Sequence, residues 1–508
     1  MINYRTIKIC CLFLLCLGTL LVSGQKIEVH QYEIFELSLE GPKSGNPFLD
    51  VQLSAEFKLK NRTLFAEGFY DGDGKYKIRF MPDEEGVWKY TTSSNHAPMD
   101  GQTGALTCIP PKPGNHGLVS VRDTFHFGYA DGTPYLPVGT TAYAWVWQGD
   151  ELVKQTLQTL AGQAFNKIRM TVMPKYYSTY IDTEPPFYPF EGSKEEGWDF
   201  SRFKPEYFQY LEDKIEKLGD LGIEADLILF HPYDYGKWGF DKMTVEQNIR
   251  YLRYLLARVS AYHNVWWSMA NEFDVMHKPD EEWEQYFRVI QSYDPYQHLS
   301  SIHNGQVFYD YEKPWITHLS VQTPFLSEIQ DWREMYLKPV INDEPVYEGN
   351  IPYDWGNITP EELVNRFWIC WTRGAYCTHG ETYLHPEDIL WWSKGGKLYG
   401  KSPERIAFLH QIMKEAPTEQ LYPFHNEWNK QTFLYKEGEY YLHYYGNSQQ
   451  AAAILNLPED GAFQIDVIDA WGMTVDKLGQ SFTGKVEIPL PQKPYMAVRA
   501  TRVTDKTE

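Results

Sequence analysis

The run Val265-Trp266-Trp267-Ser268-Met269-Ala270 is apolar, has the length of a strand, and ends in Asn271-Glu272. Continuous apolar runs of this kind suit strands buried on both faces. A carboxyl at such an end, beside an apolar wall and an amide, can have a raised pKa and act as a general acid. The competing reading is a strand end followed by a helix cap, with Glu272 or Asp274 merely solvated. The other apolar runs end in similar groups. Lys167, Arg169 and Met170 close one, and His231-Pro232-Tyr233-Asp234 another. His303-Asn304, Gln322 and Asn342-Asp343-Glu344 close three more, with Glu348 just beyond. His379-Gly380-Glu381 closes the last, and Trp391-Trp392 follow it. No GxGxxG, P-loop, HExxH or GxSxG motif occurs in a supporting context, so no cofactor is implied and an esterase is disfavoured. His231, His303 and His379 have no metal-ligand spacing, and no metal is expected. Two carboxyls among sugar-sized polar groups and aromatic rings are what glycoside hydrolysis requires.

Such groups converge only if the runs form one barrel. Strands are expected at 135–140, 165–172, 223–230, 265–270, 299–302, 317–321, 339–341 and 374–378. Helical periodicity falls between them at 150–162, 205–221, 244–261, 280–293, 325–336 and 360–372. In 244–261, Val245, Ile249, Leu252, Leu255, Leu256 and Val259 recur at helical spacing. Alternating strands and helices predict parallel units, and eight strands over about 250 residues fit a (β/α)8 barrel. The fifth unit is the weakest, since little helix is visible between 303 and 316. Barrel enzymes keep their chemistry at the C-terminal strand ends.

Residues 118–417 are therefore expected to be a catalytic barrel between two β-domains. Residues 25–110 alternate apolar and polar in short strands, as in Val29–Leu37, Val51–Phe57, Tyr76–Phe80 and Val87–Tyr90, which suggests an Ig-like β-sandwich. Asp71 and Asp73 in one turn fit an Asx turn better than a calcium site, which wants six to eight oxygens. Ile109–Gly117 is a stiff linker. Residues 425–508 return to strands and are read as a C-terminal β-sandwich, with strands at Gln431–Tyr435, Tyr440–Tyr445, Ala451–Leu455, Phe463–Ile468 and Met496–Arg499.

Arg5 and Lys8 followed by apolar Ile9–Val22 and then Ser23-Gly24 read as a signal peptide over residues 1–24, implying a periplasmic or secreted protein without membrane insertion after cleavage. Three cysteines then remain, Cys108, Cys370 and Cys377, expected as buried thiols. The net charge of −21 disfavours nucleic acid and anionic membranes as partners. Aromatics make up 16% of the chain, which suits either stacking on sugars or a large core. No residue pattern sets the oligomeric state.

Asn271-Glu272 and Glu344 resemble the clan of (β/α)8 retaining glycoside hydrolases with catalytic Glu on strands four and seven. Their spacing leaves room for three βα units. Tyr129–Pro134, Gly139–Tyr143 and Phe165–Met170 are similar to the apiosidase-like barrels of that clan. Gly68–Gly74 with Glu85–Trp88, and Ile465–Asp469, resemble the uncharacterised sandwich modules that flank them. The resemblance implies that Glu344 is the nucleophile and Glu272 the acid/base; the seventh strand end is crowded with carboxyls, and Glu348 is the reserve nucleophile. Asp343 and Glu344 are adjacent and should point to opposite sides of a strand. Arg169 either keeps Glu344 ionised or ties barrel loops together, and Asn271 would bind a sugar hydroxyl. His231, His303, Gln322, Glu381, Trp391 and Trp392 are expected to contact substrate, although structural roles suit the histidines and tryptophans equally. Tyr143, Trp145 and Trp147 share that ambiguity. The chain departs from the clan in having Gln322-Thr323 where an aromatic is common, and His379 and Glu381 where Trp is. A cell-wall glycan from plants or algae, or an oligosaccharide from one, is the expected substrate. The alternative is a binding or scaffold protein that kept the barrel and lost catalysis.

Overall fold

A computed structural model describes residues 27–417, 420–424 and 431–503. The expected signal peptide lies outside them. The centre is a closed parallel barrel. Its strands are β1 (Val138–Thr141), β2 (Lys167–Thr171), β3 (Glu224–Phe230), β4 (Val265–Ala270), β5 (Ser300–Ser301), β6 (Leu319–Gln322), β7 (Val340–Glu344) and β8 (Tyr376–His379). They pair in sequence order, β8 returns to β1, and a parallel bridge between His303 and Ser320 joins β5 to β6. Every residue of β3 and β4 is buried, because barrel side chains fill one face and helices cover the other.

The helices of eight residues or more are α1 (Asp150–Ala161), α2 (Pro205–Asp220), α3 (Val245–Val259), α4 (Asp280–Tyr293), α5 (Ile329–Tyr336), α6 (Pro360–Thr372) and α7 (Ser402–Lys414). The start of α3 shows why periodicity alone located it. Thr244 caps it in a reciprocal box with Gln247, and Leu252, Leu255, Leu256 and Val259 face the core. No helix joins β5 to β6, as the weak fifth unit predicted. At the N-terminal end, Phe127 plugs the barrel against Trp266, His318 and Tyr376, with ring centroids 5.4–5.7 Å apart.

Seven strands between Ile27 and Ile109 form one sheet that wraps a core of its own. Arg62–Tyr70 pairs along its first part with Leu53–Leu59 and at its end with Lys75–Phe80. Phe57 and Phe80 can therefore stack across the core at 3.9 Å. The expected strand Val29–Leu37 is instead broken by Tyr32 at φ 66°, and its two pieces join opposite edges of the sheet. Asp71 is spent on Lys77 and Arg258, each at 2.9 Å or less, and Asp73 on Lys43. Buried Arg79 reaches Glu212 on α2 at 2.9 Å, so charge as well as apolar area docks this sheet on the barrel. After α7, a six-stranded sheet and a two-stranded ribbon follow, including strands Thr474–Phe482 and Lys485–Pro489 that alternation did not reveal. Tyr444 stacks on Trp368 of α6 at 5.1 Å and fixes that sheet to the barrel. Cys108, Cys370 and Cys377 are buried free thiols. No described helix is long and apolar enough to cross a membrane.

Candidate active site

The C-terminal mouth of the barrel holds Glu272 and Glu344. Glu272 follows β4 in the left-handed region at φ 47°, a conformation that costs a non-glycine residue energy and recurs at functional sites. Two backbone ties hold it there. Phe273 N–H donates to His303 O at 3.0 Å, and Asp274 accepts from the amides of Gly305, Gln306 and Val307 at 2.6–3.0 Å. Asp274 is thus not merely solvated; it binds the loop after β4 to the loop after β5.

Glu344 ends β7 at a bulge, where the β6 register jumps from Val321↔Asn342 to Gln322↔Glu344. The expectation that Asp343 and Glu344 face opposite sides fails here. A bulge inserts an unpaired residue and re-aims its neighbour. Asp343 points into the barrel floor, accepting from Lys167 Nζ at 2.8 Å and from Ser320 and Thr378 hydroxyls at 2.6 Å. Glu344 sits above it, with Oε1 3.7 Å from Arg169 Nη1 and 3.9 Å from His303 Nε2.

The two glutamates are bridged. With its amide nitrogen turned towards them, as the surrounding acceptors require, Gln322 donates at 3.2 Å to both Glu272 Oε1 and Glu344 Oε2. Each carboxylate also has its own phenol. Tyr143 donates to Glu344 Oε1, and Tyr233 donates to Glu272 Oε2. Asn271 links the two halves, accepting from Arg169 Nη2 at 3.0 Å and donating to Tyr233 Oη at 3.3 Å. It is no helix cap.

Lys175, in the loop after β2, is buried against the faces of Tyr143 and Tyr233 at 3.8 and 3.9 Å, with Trp392 at 5.0 Å and Tyr177 at 5.1 Å. Such cation–π contacts hold an ammonium without a carboxylate partner. Burial pulls its pKa down to about 7, against the opposing pull of Glu344 and Glu272. Burial and the neighbouring Glu344 push Glu272 up to about 7. Burial also raises Glu344, with Arg169, Tyr143 and Lys175 opposing the rise. The pair can therefore hold one proton and one charge near neutrality, as a general acid beside an ionised nucleophile requires.

The remaining expected site residues divide. Arg169 and Gln322 join the site. His303 does so as a neutral ring, held well below the usual histidine range by burial and by Arg169. His231 lies one layer back. Its Nδ1 accepts from Tyr233 N–H at 3.2 Å and its ring stacks beside Tyr233, so it positions the phenol. Trp392 lines the mouth against Tyr143, Tyr177 and Trp355. Trp391 does not; it is buried, with Nε1 donating to Thr140 Oγ1 at 2.8 Å. Trp145 and Trp147 are core, and Trp147 stacks on Tyr207 of α2. Glu381 and the reserve Glu348 are corrections as well. The short pairing of Glu348-Gly349 with Glu381-Thr382 carries both into a separate buried cluster with His379. Sequence reasoning missed Lys175 and the specific roles of Tyr143 and Tyr233. Tyr143 and Tyr233 were visible at strand ends, but nothing in the chain links Lys175 to the rings around it.

A family model described as "Apiosidase-like, catalytic domain" matches residues 122–452. Two domains of unknown function, DUF5060 and DUF5605, match residues 28–95 and 428–501. A crystal structure from Bacteroides vulgatus, provisionally assigned as a glycoside hydrolase, is 40% identical with a TM-score of 0.89, covering 94% of this chain and all of its own. A family 5 glycoside hydrolase from the same organism shares the fold at 14% identity and a TM-score of 0.61, over 77% of this chain and 94% of its own. Another glycoside hydrolase matches at 15% identity and 0.61, over 78% of this chain and 98% of its own. No curated protein matches. With the matched model spanning well over half the chain, and with two bridged carboxyls at the mouth of its barrel, the protein belongs to the apiosidase-like catalytic-domain family and is a glycoside hydrolase.

Proposed function

We propose that the protein hydrolyses an O-glycosidic bond with retention, Glu344 acting as nucleophile and Glu272 as acid/base. The observation that carries this is the Gln322 amide, 3.2 Å from an oxygen of each carboxylate. Those two oxygens can be no further apart than twice that distance. This supports the closer spacing of retaining enzymes, about 5–5.5 Å, over the roughly 6.5–9.5 Å that leaves room for an inverting water. In the first step Glu344 attacks the anomeric carbon, the glycosidic C–O bond breaks, and the leaving oxygen takes the proton of Glu272. In the second, water attacks the same carbon, gives its proton to Glu272, and Glu344 is released. Tyr143 and Arg169 hold the attacking carboxylate, and Trp392 offers a wall to the sugar ring. Gln322 stands where the clan commonly places an aromatic, and Tyr143 from the loop after β1 provides a phenol to Glu344.

The proposed substrate is a plant or algal cell-wall glycan, and the family description makes apiosides the first to screen. The expected leader over residues 1–24 supports export to the periplasm or beyond. The sheets on either side of the barrel suit sandwich modules, the first of Ig-like type. The test is product release from arylglycosides, including an apioside, and from cell-wall polysaccharides, followed by NMR of the first anomer formed. Retention with loss of release in Glu344→Gln supports the reading. An inverted product, or equal release by the variant, would sink it.

A further inference from the structure

Outside the barrel wall, between the strand ends of β7 and β8 and the start of α7, lie three buried ionisable side chains that the reaction does not use. Glu348, His379 and Glu381 each present one ligand atom, and the three atoms lie within 4.8 Å of one another. All three residues are at most 1% exposed. We propose that this cluster binds a divalent first-row cation, of the Zn²⁺ or Mn²⁺ type, that ties the loop after β7 to the end of β8.

Unsatisfied atoms point to a ligand. Among the described residues, neither carboxylate oxygen of Glu348 has a hydrogen-bond partner, nor does His379 Nε2. The Ser402 hydroxyl and the Lys401 and Ser402 amides lie near enough to Glu348 to lower its pKa, yet none makes a hydrogen bond of good geometry. Burying a carboxylate pair with no cation is costly. Accordingly burial pushes Glu348 up to about 7, and burial together with Glu348 pushes Glu381 up to about 8.

The surroundings resemble the outer shell of a metal site. His379 Nδ1 is 3.0 Å from Thr140 Oγ1, which can fix the tautomer that leaves the Nε2 lone pair facing the carboxylates. Glu381 is oriented by the amides of Tyr399 and Gly400 at 2.7 and 2.8 Å. Gly400 closes the cluster so tightly that a Cβ there would fall 1.3 Å from Glu348 Oε1. One imidazole with two carboxylates favours a first-row ion over Ca²⁺, which prefers oxygen alone. Metal–ligand distances of about 2.0–2.2 Å set ligand atoms roughly 3–3.6 Å apart, so on binding a pair at the 4.8 Å limit would close by a little over 1 Å, within reach of side-chain rotation. Glu348 follows Glu344 by four residues, so the cation would also steady the end of β7.

The full-length protein, dialysed against ZnCl2 or MnCl2 and then against metal-free buffer, should retain about one equivalent of one of them by elemental analysis. Its Tm with that salt present should rise by roughly 3–6 °C. His379→Gln and Glu348→Gln should retain none and show no rise. Retention of neither metal with an unchanged Tm overturns the proposal, as does a Glu348→Gln variant more stable than the parent, the mark of two carboxyls sharing a proton. Should the variants fail to fold, metal retention and Tm of the parent decide alone.

Discussion

The barrel floor and the mouth above it bury charge in opposite ways, and adjacent residues show the contrast. Asp343 belongs to the floor. Lys167 lies 2.8 Å from both Asp343 and Asp226, and two hydroxyls complete the Asp343 shell. Burial alone would raise this carboxyl, but Lys167 and Arg169 hold it well below the usual carboxylate range. Glu344 belongs to the mouth. It shares Arg169 with the floor, faces another carboxylate, and has a raised pKa. The nearest ammonium, Lys175, rests on aromatic faces with no carboxylate in ion-pair contact among the described residues. A floor of matched charges fixes geometry; a mouth of mismatched ones keeps a proton available. Arg169 touches both and couples the rigid layer to the reactive one.

The sharpest way to break this comparison is to exchange the two neighbours. Glu344→Gln should lower turnover by roughly 10⁴-fold while leaving denaturant stability unchanged or higher. Asp343→Asn should cost about 3–5 kcal/mol of stability, because it leaves buried cations underpaired. Equal stability losses in the two variants would erase the distinction. Next, Tyr143→Phe removes the donor to Glu344. A hydrogen bond to a charged group contributes about 1.5–3 kcal/mol, so kcat/KM should fall by roughly 10- to 100-fold. The acid limb should move to higher pH, since that hydrogen bond lowers the Glu344 pKa.

Lys175→Met should have a smaller effect on rate at the optimum and a clear one on its pH dependence. Glu272 must be protonated to act as an acid, so activity should decline as pH rises through about 7. The ammonium lowers the Glu272 pKa, and its removal should shift that basic limb upward. An unmoved limb would show that Lys175 does not act on the pair.

The smallest effect concerns Glu224, buried on β3, where among the described residues Trp266 Nε1 alone donates to its carboxylate, at 3.1 Å. Burial raises it to about 8. The folded state therefore keeps a proton that the unfolded chain loses above its ordinary pKa of 4.5, and stability declines as pH rises from there towards 8. Glu224→Gln should remove that decline and raise Tm at pH 8 by a few degrees, with activity unchanged.

The barrel was largely legible in the chain. Helices expected at 280–293 and 360–372 occur at those residues, because surface helices of a barrel show a clear periodicity against a covered face. The apolar runs of β3 and β4 were equally plain, as both their faces are buried. Strands Thr474–Phe482 and Lys485–Pro489 were not, since most of their residues are exposed or half-exposed and alternate weakly. Asn271, Glu272 and Glu344 could be read as site candidates because each ends an apolar run.

By itself the sequence determined the order of strands and helices, and hence which polar residues stand at one end of a barrel. It did so because local periodicity and strand-end position are encoded within a few residues. Only the tertiary structure decided that a bulge turns Asp343 inward as well as Glu344. It alone separated Trp392 from Trp391, put Lys175 between two phenols, and drew Glu381 and Glu348 away from the mouth to meet His379. Those outcomes depend on register, loop closure and side-chain contacts between residues as far as 251 positions apart, and local patterning carries no record of them.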